Sequence, residues 1–378
     1  MRNTIERLVD GLAGSVIIGG VLDLADEHLR RGDADFVAEL TAAVHARYGA
    51  RAKGTEHHYL FSLLLWRLAT THRRDAIAHA LRLGFADLSP TKRPERRAAA
   101  VLAANQSPRD LAQLFAPGEA AYGDTPDELR ACLVHELVLR RSTPPPEAVE
   151  WAANSPFWQS HPLAWLPWSL SPLEGTPQLT RYWLGGGGGG IGYGLPEGRE
   201  LPNDPAPVPA VRANDLDFAL TTAVDRWDGR HNGRVEAGIH VTDAPVDADA
   251  LHPMLASLPL DCLDGLTGAR NLAVVATTPA EAWRQLFAAA STGGGREDEW
   301  WYGAHGRLAA WRSLAALAGA PGDATPAEVE RRVAACAWYG FRAWTDWFNC
   351  DLWDLGLATL SPDRTRLTVL AATDYNGG

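Results

Sequence analysis

Residues Trp353–Asp374 read WDLGLATLSPDRTRLTVLAATD. Two apolar runs, rich in leucine and β-branched residues, flank Ser361-Pro362-Asp363-Arg364-Thr365. Proline and aspartate there supply a turn, so the stretch predicts a β-hairpin. Working back from it, RVEAGIHVTD alternates Val235, Ala237, Ile239 and Val241 against Glu236, Gly238 and His240, as a strand with one wet face does. NLAVVATT reads as a buried strand running into the helix PAEAWRQLFAAAS. Two more helices, GRLAAWRSLAALAG and PAEVERRVAACAWYGFRAW, separate that strand from the hairpin. The order predicts an α+β domain over residues 214–378 with largely antiparallel strands.

Residues 1–150 have a different rhythm. DFVAELTAAVHARYG places Phe36, Leu40 and Val44 on one helical face, and EHHYLFSLLLWRLATTH is apolar nearly all round. Helices of this length joined by short loops predict an all-helical bundle or a short α-solenoid. Four helix starts share one device: Ser107-Pro108-Arg109-Asp110, Thr125-Pro126-Asp127-Glu128, Thr278-Pro279-Ala280-Glu281 and Thr325-Pro326-Ala327-Glu328. A capping hydroxyl precedes a proline, and an acid three residues after the cap can reach free backbone N–H groups.

Between these halves, residues 151–213 read as a connector rich in Pro, Trp and Gly. Five tryptophans from Trp151 to Trp183 are too many to leave wet, so this segment should pack against a domain. Its glycine run, LGGGGGGIGYG from Leu184, satisfies GxGxxG trivially, but no helix, Gly-Lys-Ser/Thr or acidic ribose partner follows. It reads as a flexible loop, as does the polar LPEGRELPNDPAPVPA after it.

Composition excludes several classes. The chain has 378 residues, 46% hydrophobic and 21% charged, as an ordinary folded protein has. Four scattered cysteines form no CxxC pair, which points to reduced thiols in a cytoplasm. Glu6 and Asp10 occupy positions where a signal peptide needs positive charge, and no apolar run is long enough for a bilayer. Of the net charge of −11, residues 211–378 carry about −8 and residues 1–150 about −1, which disfavours nucleic acid as a partner.

Candidate sites are few. In STGGGREDEWWYGAHGRLAAW, His305 and Arg307 fall in the first turn of a helix opening near Ala304, behind Trp300, Trp301 and Tyr302. Cations there oppose the helix dipole, so they serve poorly as helix stabilisers and can bind an anion between aromatic walls, where an aromatic anchor with a solvated turn is the plainer reading. DRWDGRHNGR gathers Arg226, Arg230, His231 and Arg234 at a polar loop tip between strands, where a plain hairpin loop is the plainer reading. Glu236 and His240 lie about 13 Å apart on one strand face, too far for a direct acid–base pair. Glu128, Cys132 and His135 share a helical face, but His135-Glu136 lacks the second His of HExxH, and adjacent His57-His58 diverge. No GxSxG is present, and Cys350 has no evident base. No cofactor and no metal is expected. The basic TKRPERR reads as a solvated helix face.

The segments ELRACLVHELVLRR, SHPLAWLPWSLSPLE and AHGRLAAWRSLAALAG, with LATLSPDRTRLTVLAATD, resemble a family of actinobacterial proteins of unknown function, from about residue 30 to the end. The resemblance implies no activity, ligand or catalytic residue. The expected function is an interaction protein that binds a protein or a small anionic ligand. The alternative is an enzyme of unfamiliar class, a hydrolase for instance, drawing on His305, Arg307 and one of Asp298, Asp351 or Asp354. A weaker alternative is an immunity or defence role.

Overall fold

The computed structural model describes residues 2–12, 18–48, 56–86, 94–116, 125–180, 194–204, 206–214, 217–227, 233–247, 250–266, 271–294, 301–348 and 353–374. The chain divides into two compact units: Met1–Ala164 with Arg181–Gly189, and Trp165–Thr180 with Gly190–Gly378. Among the described residues, no helix is long and apolar enough to cross a membrane.

The first unit is helical, in the order α1 (Arg2–Gly11), α2 (Ile18–Arg30), α3 (Ala34–Tyr48), α4 (Glu56–Thr70), α5 (Arg74–Ala86), α6 (Pro94–Asn105), α7 (Pro108–Leu111), α8 (Asp127–Leu139), α9 (Pro146–Asn154) and α10 (Pro156–Ser160). Helix α3 packs on α4 and α5, and α6 packs on α8. Leu60, Leu64 and Leu68 of α4 are wholly buried, as its apolar circumference requires. Trp151 and Trp158 sit in this unit with ring centroids 5.6 Å apart, and Phe115 packs on Trp151. Pro and Trp keep α9 and α10 short.

The second unit is built on a seven-stranded sheet: β1 (Arg199–Glu200), β2 (Val211–Asn214), β3 (Arg234–Thr242), β4 (Leu272–Thr277), β5 (Ala337–Ala343), β6 (Asp354–Leu360) and β7 (Arg366–Thr373). The order is β1-β4-β5-β6-β7-β3-β2, and every pairing is antiparallel. The β6–β7 hairpin forms as expected, with Asp354 opposite Thr373 and Leu360 opposite Leu367. Side chains alternate across the sheet. Val274, Tyr339, Phe341, Ala358, Leu367 and Val369 share a core with α11 (Leu251–Ala256) and the turn Asp261–Leu263. Leu355, Leu357 and Leu370 alternate with them and are also buried. Helices α12 (Pro279–Thr292) and α13 (Tyr302–Leu317) pack side by side and reach β5 and β7 respectively, and α14 (Pro326–Ala335) follows.

Three of the four expected caps are present. Ser107, Thr278 and Thr325 accept from the backbone N–H of Asp110, Glu281 and Glu328. The fourth differs: α8 is preceded by Pro126 with no side-chain cap, and Asp127 instead accepts from Arg130 and Trp151. The expected long last helix also differs. It stops at Ala335, Cys336 turns extended at φ −82°, and Ala337–Ala343 becomes a strand between β4 and β6. Aromatic residues at alternate positions fit a pleated surface better than a helix, and tertiary pairing overrides helical propensity here. Two further readings change. Residues 199–201 join the sheet edge rather than a free linker, with Leu201 in the core. The segment before β3 is a 3₁₀ turn, Phe218–Thr221, rather than a strand. The glycine run from Leu184 to Tyr193 lies outside the described residues.

Replacing Thr278 or Thr325 by Ala should each lower stability by about 1 kcal/mol. Urea denaturation checks this, and unchanged midpoints in both variants would refute the caps.

Candidate functional site

The residues singled out in the sequence come together only in part. Arg226 lies 5.2 Å from the Trp301 ring centre, and the Trp301 and His305 rings meet edge-on at 6.3 Å. Helix α13 begins at Tyr302, so His305 and Arg307 do fall in its opening turns, and both are buried. Trp300, Arg230, His231, Asp298, Cys350 and Asp351 lie outside the described residues. Asp354, the remaining acid, accepts from Thr373 at 2.6 Å.

Arg307 has no exposed surface. Its Nε and Nη2 donate to the Glu174 carboxylate at 2.6 and 2.8 Å, and Nη1 and Nη2 donate to the carbonyls of Pro167 and Ser169 at 2.9 Å each. Glu174 closes a 3₁₀ turn as the acid of a capping box with Ser171, and it also accepts from Trp311 Nε1 at 3.0 Å. Trp165 packs edge-on against Trp311. This fork-to-carboxylate pairing ties residues 165–174 to α13, and it commits the guanidinium that the anion reading needed.

Other polar residues are likewise occupied. Glu128 accepts from Arg96 Nε and from His161 Nε2, each at 2.9 Å. His135 bonds the Leu163 carbonyl. Glu236 accepts from the N–H groups of Asp261 and Cys262, both at 2.8 Å. Burial raises the thiols of Cys132 and Cys262, and pushes Cys336 up to about 11, so none of the three carries appreciable thiolate at neutral pH.

The site that does stand open lies at the β4 edge of the sheet. Alternate residues of β4 turn their backbone polar groups toward β1. Leu201 N–H donates to the Val274 carbonyl at 2.8 Å. The ladder ends with this bond, just before Pro202. The following acceptor on that edge, Leu272 O, is taken by His252 Nε2 at 2.8 Å. Beside it opens a groove of about 630 Å³. Leu272–Val274 line it together with Glu200–Asn203, His252 and Trp344. The Trp344 N–H bonds the Asn271 carbonyl, which sets the indole just beyond the β4–β5 ladder, 48% exposed.

His252 is only 2% exposed. Because Nε2 faces a carbonyl it must carry the proton, which leaves Nδ1 of the neutral ring as an acceptor. Nδ1 has no hydrogen-bond partner among the described residues. The same atom has no accessible surface, so the groove does not meet it. None of these residues was singled out in the sequence. His252 stands in an apolar helix like any core histidine, Glu200 in an apparent linker, and Trp344 at a strand end.

Comparison with known proteins shows that the chain belongs to a family of unknown function (DUF6183), matched over residues 19–376. No curated protein and no solved structure matches it.

Breaking the buried pair by Glu174→Gln or Arg307→Met should cost about 3–5 kcal/mol, whereas Glu174→Leu with Arg307→Met should recover most of the loss. Urea titration distinguishes these, and single variants as stable as the parent would remove the pair from its structural role. A second outcome concerns His240, 3% exposed, with neither ring nitrogen hydrogen-bonded among the described residues. Burial lowers its pKa, with Glu236 pulling the other way. The folded state therefore resists a proton that the unfolded chain accepts below about pH 6.5. Stability should be full above that pH and fall as pH drops toward the depressed folded value. His240→Leu should flatten this loss between pH 7 and pH 5, and an unchanged profile would count against it.

Proposed function

We propose that this protein is a binding protein whose C-terminal unit presents the β4-edge groove as its recognition site. The observation that carries this reading is a groove of ligand size, about 630 Å³, with the half-exposed indole of Trp344 in its lining. Specific pockets combine an apolar wall with a few placed polar groups, and this groove has both. Trp344 and Leu272 supply surface, while Glu200, Asn203 and His252 supply polarity.

The hydrolase alternative draws less support. Its arginine is bound to Glu174, and Asp354 is held by Thr373.

Saturation-transfer NMR of the full chain against a library of small polar fragments tests the reading. Fragments should bind the parent, and Trp344→Lys should abolish most of those contacts while leaving the melting temperature within a few degrees. Hits that survive Trp344→Lys unchanged, or no hits at all, would refute the groove as the recognition site.

A further inference from the structure

We infer that residues 260–263 form a proton-coupled flap over His240, closed while the imidazole is neutral and opening as the ring takes up a proton. Alternation along β3 puts Glu236, Gly238 and His240 on one face of the sheet. Their partners on β7, Val369 and Leu367, share a core with Leu260, Cys262 and Leu263, so the segment covers that face. The ring folds back along the strand: a Cβ at Gly238 would stand 2.6 Å from His240 Nε2 and 3.3 Å from Leu260 Cδ2. Imidazole and leucine therefore share the space that the absent side chain leaves. Both ring nitrogens are buried without a hydrogen bond among the described residues. The segment is tied to β3 by Glu236, two positions before that glycine. Its carboxylate takes the N–H groups of Asp261 and Cys262 at 2.8 Å each.

Few groups can answer a charge on the ring. Across β7 and β2 it stands opposite Leu367 and Ala213, while Arg366 and Arg212 alternate to the other side of the sheet. Arg234 shares its face of β3 but donates to the carbonyls of Asp346 and Trp347. The covering segment brings Asp261 and the Cys262 thiol, which burial pushes up, with Asp264 next in the chain. Helix α11 brings His252, committed to Leu272 O. Only Glu236 offsets the cost of charging His240, and burial outweighs it. Strands flank the ring and the sheet backs it, so water reaches it through the covering segment. Lifting that segment hydrates the ring, and the open form binds the proton that the closed form refuses. The closed form is fully favoured above about pH 6.5 and loses ground as pH falls toward its own depressed value.

Amide hydrogen exchange of the full chain, corrected for intrinsic rates, separates a flap from complete unfolding. At pH 7 the Asp261 and Cys262 amides should be less protected than the β6–β7 hairpin. They should also be nearly insensitive to low urea, because a short segment exposes little surface. Their protection should fall up to about twentyfold between pH 7 and pH 5, the most that one histidine of ordinary open-state pKa supplies. His240→Leu should remove that fall. Protection equal to the hairpin's with the same urea dependence, or no fall with pH, overturns the flap. A fall that persists in His240→Leu overturns the assignment to His240. Glu236→Gln, at a half-buried position, covers the case in which His240→Leu does not fold. It should lower protection already at pH 7 and keep the further fall, and loss of the pH dependence there would overturn the role of His240.

Discussion

A guanidinium with no exposed surface persists only where its charge and its N–H groups find partners, and Arg307 has both a carboxylate and backbone carbonyls. Glu174 takes two of its five N–H groups as a fork, and two backbone carbonyls take two more. The pairing does more than satisfy charge. It holds an otherwise irregular stretch, residues 165–174, against α13, and Trp311 joins the same carboxylate. Helix α13 packs in turn on α12, on β7 and on the turn Phe218–Thr221, where Ser313 accepts the Ala223 N–H. Much of the second unit's helical layer therefore depends on one charged pair formed across 133 positions of sequence.

The sheet's β1–β4 edge is governed by a different constraint. An exposed strand edge invites unwanted pairing, and this one is interrupted rather than extended. The β1–β4 ladder ends at Leu201, and His252 covers the Leu272 carbonyl beyond it. The consequence is a gap beside β4 with an imidazole in its lining, and that gap is the groove. A device that blunts an edge thereby also creates a recess with polar walls.

Local physics made much of the fold legible. The hairpin at 353–374 and three proline-bearing caps follow from residues within a few positions of each other, and the structure has them. A fifth copy of the capping pattern, Ser171-Pro172-Leu173-Glu174, stands in the sequence too, and its acid is the one that receives Arg307. The puzzle of Arg307 could be read as a cation opposing its helix dipole, but the answer lay far away in sequence. Strand β5 was hidden for a related reason. Its alternation follows directly on a helical run, and only its neighbours β4 and β6 turn the balance. The groove residues were least legible of all, because Glu200, His252 and Trp344 belong to three separated segments and acquire meaning only when the sheet assembles.

The central claim, that the Arg307–Glu174 pair holds residues 165–174 against α13, is open to direct measurement by amide hydrogen exchange of the parent and of Glu174→Gln. The account predicts that residues 165–174 and α13 lose protection together in the variant while the β6–β7 hairpin keeps its own. Unchanged protection over 165–174 and α13 would contradict it.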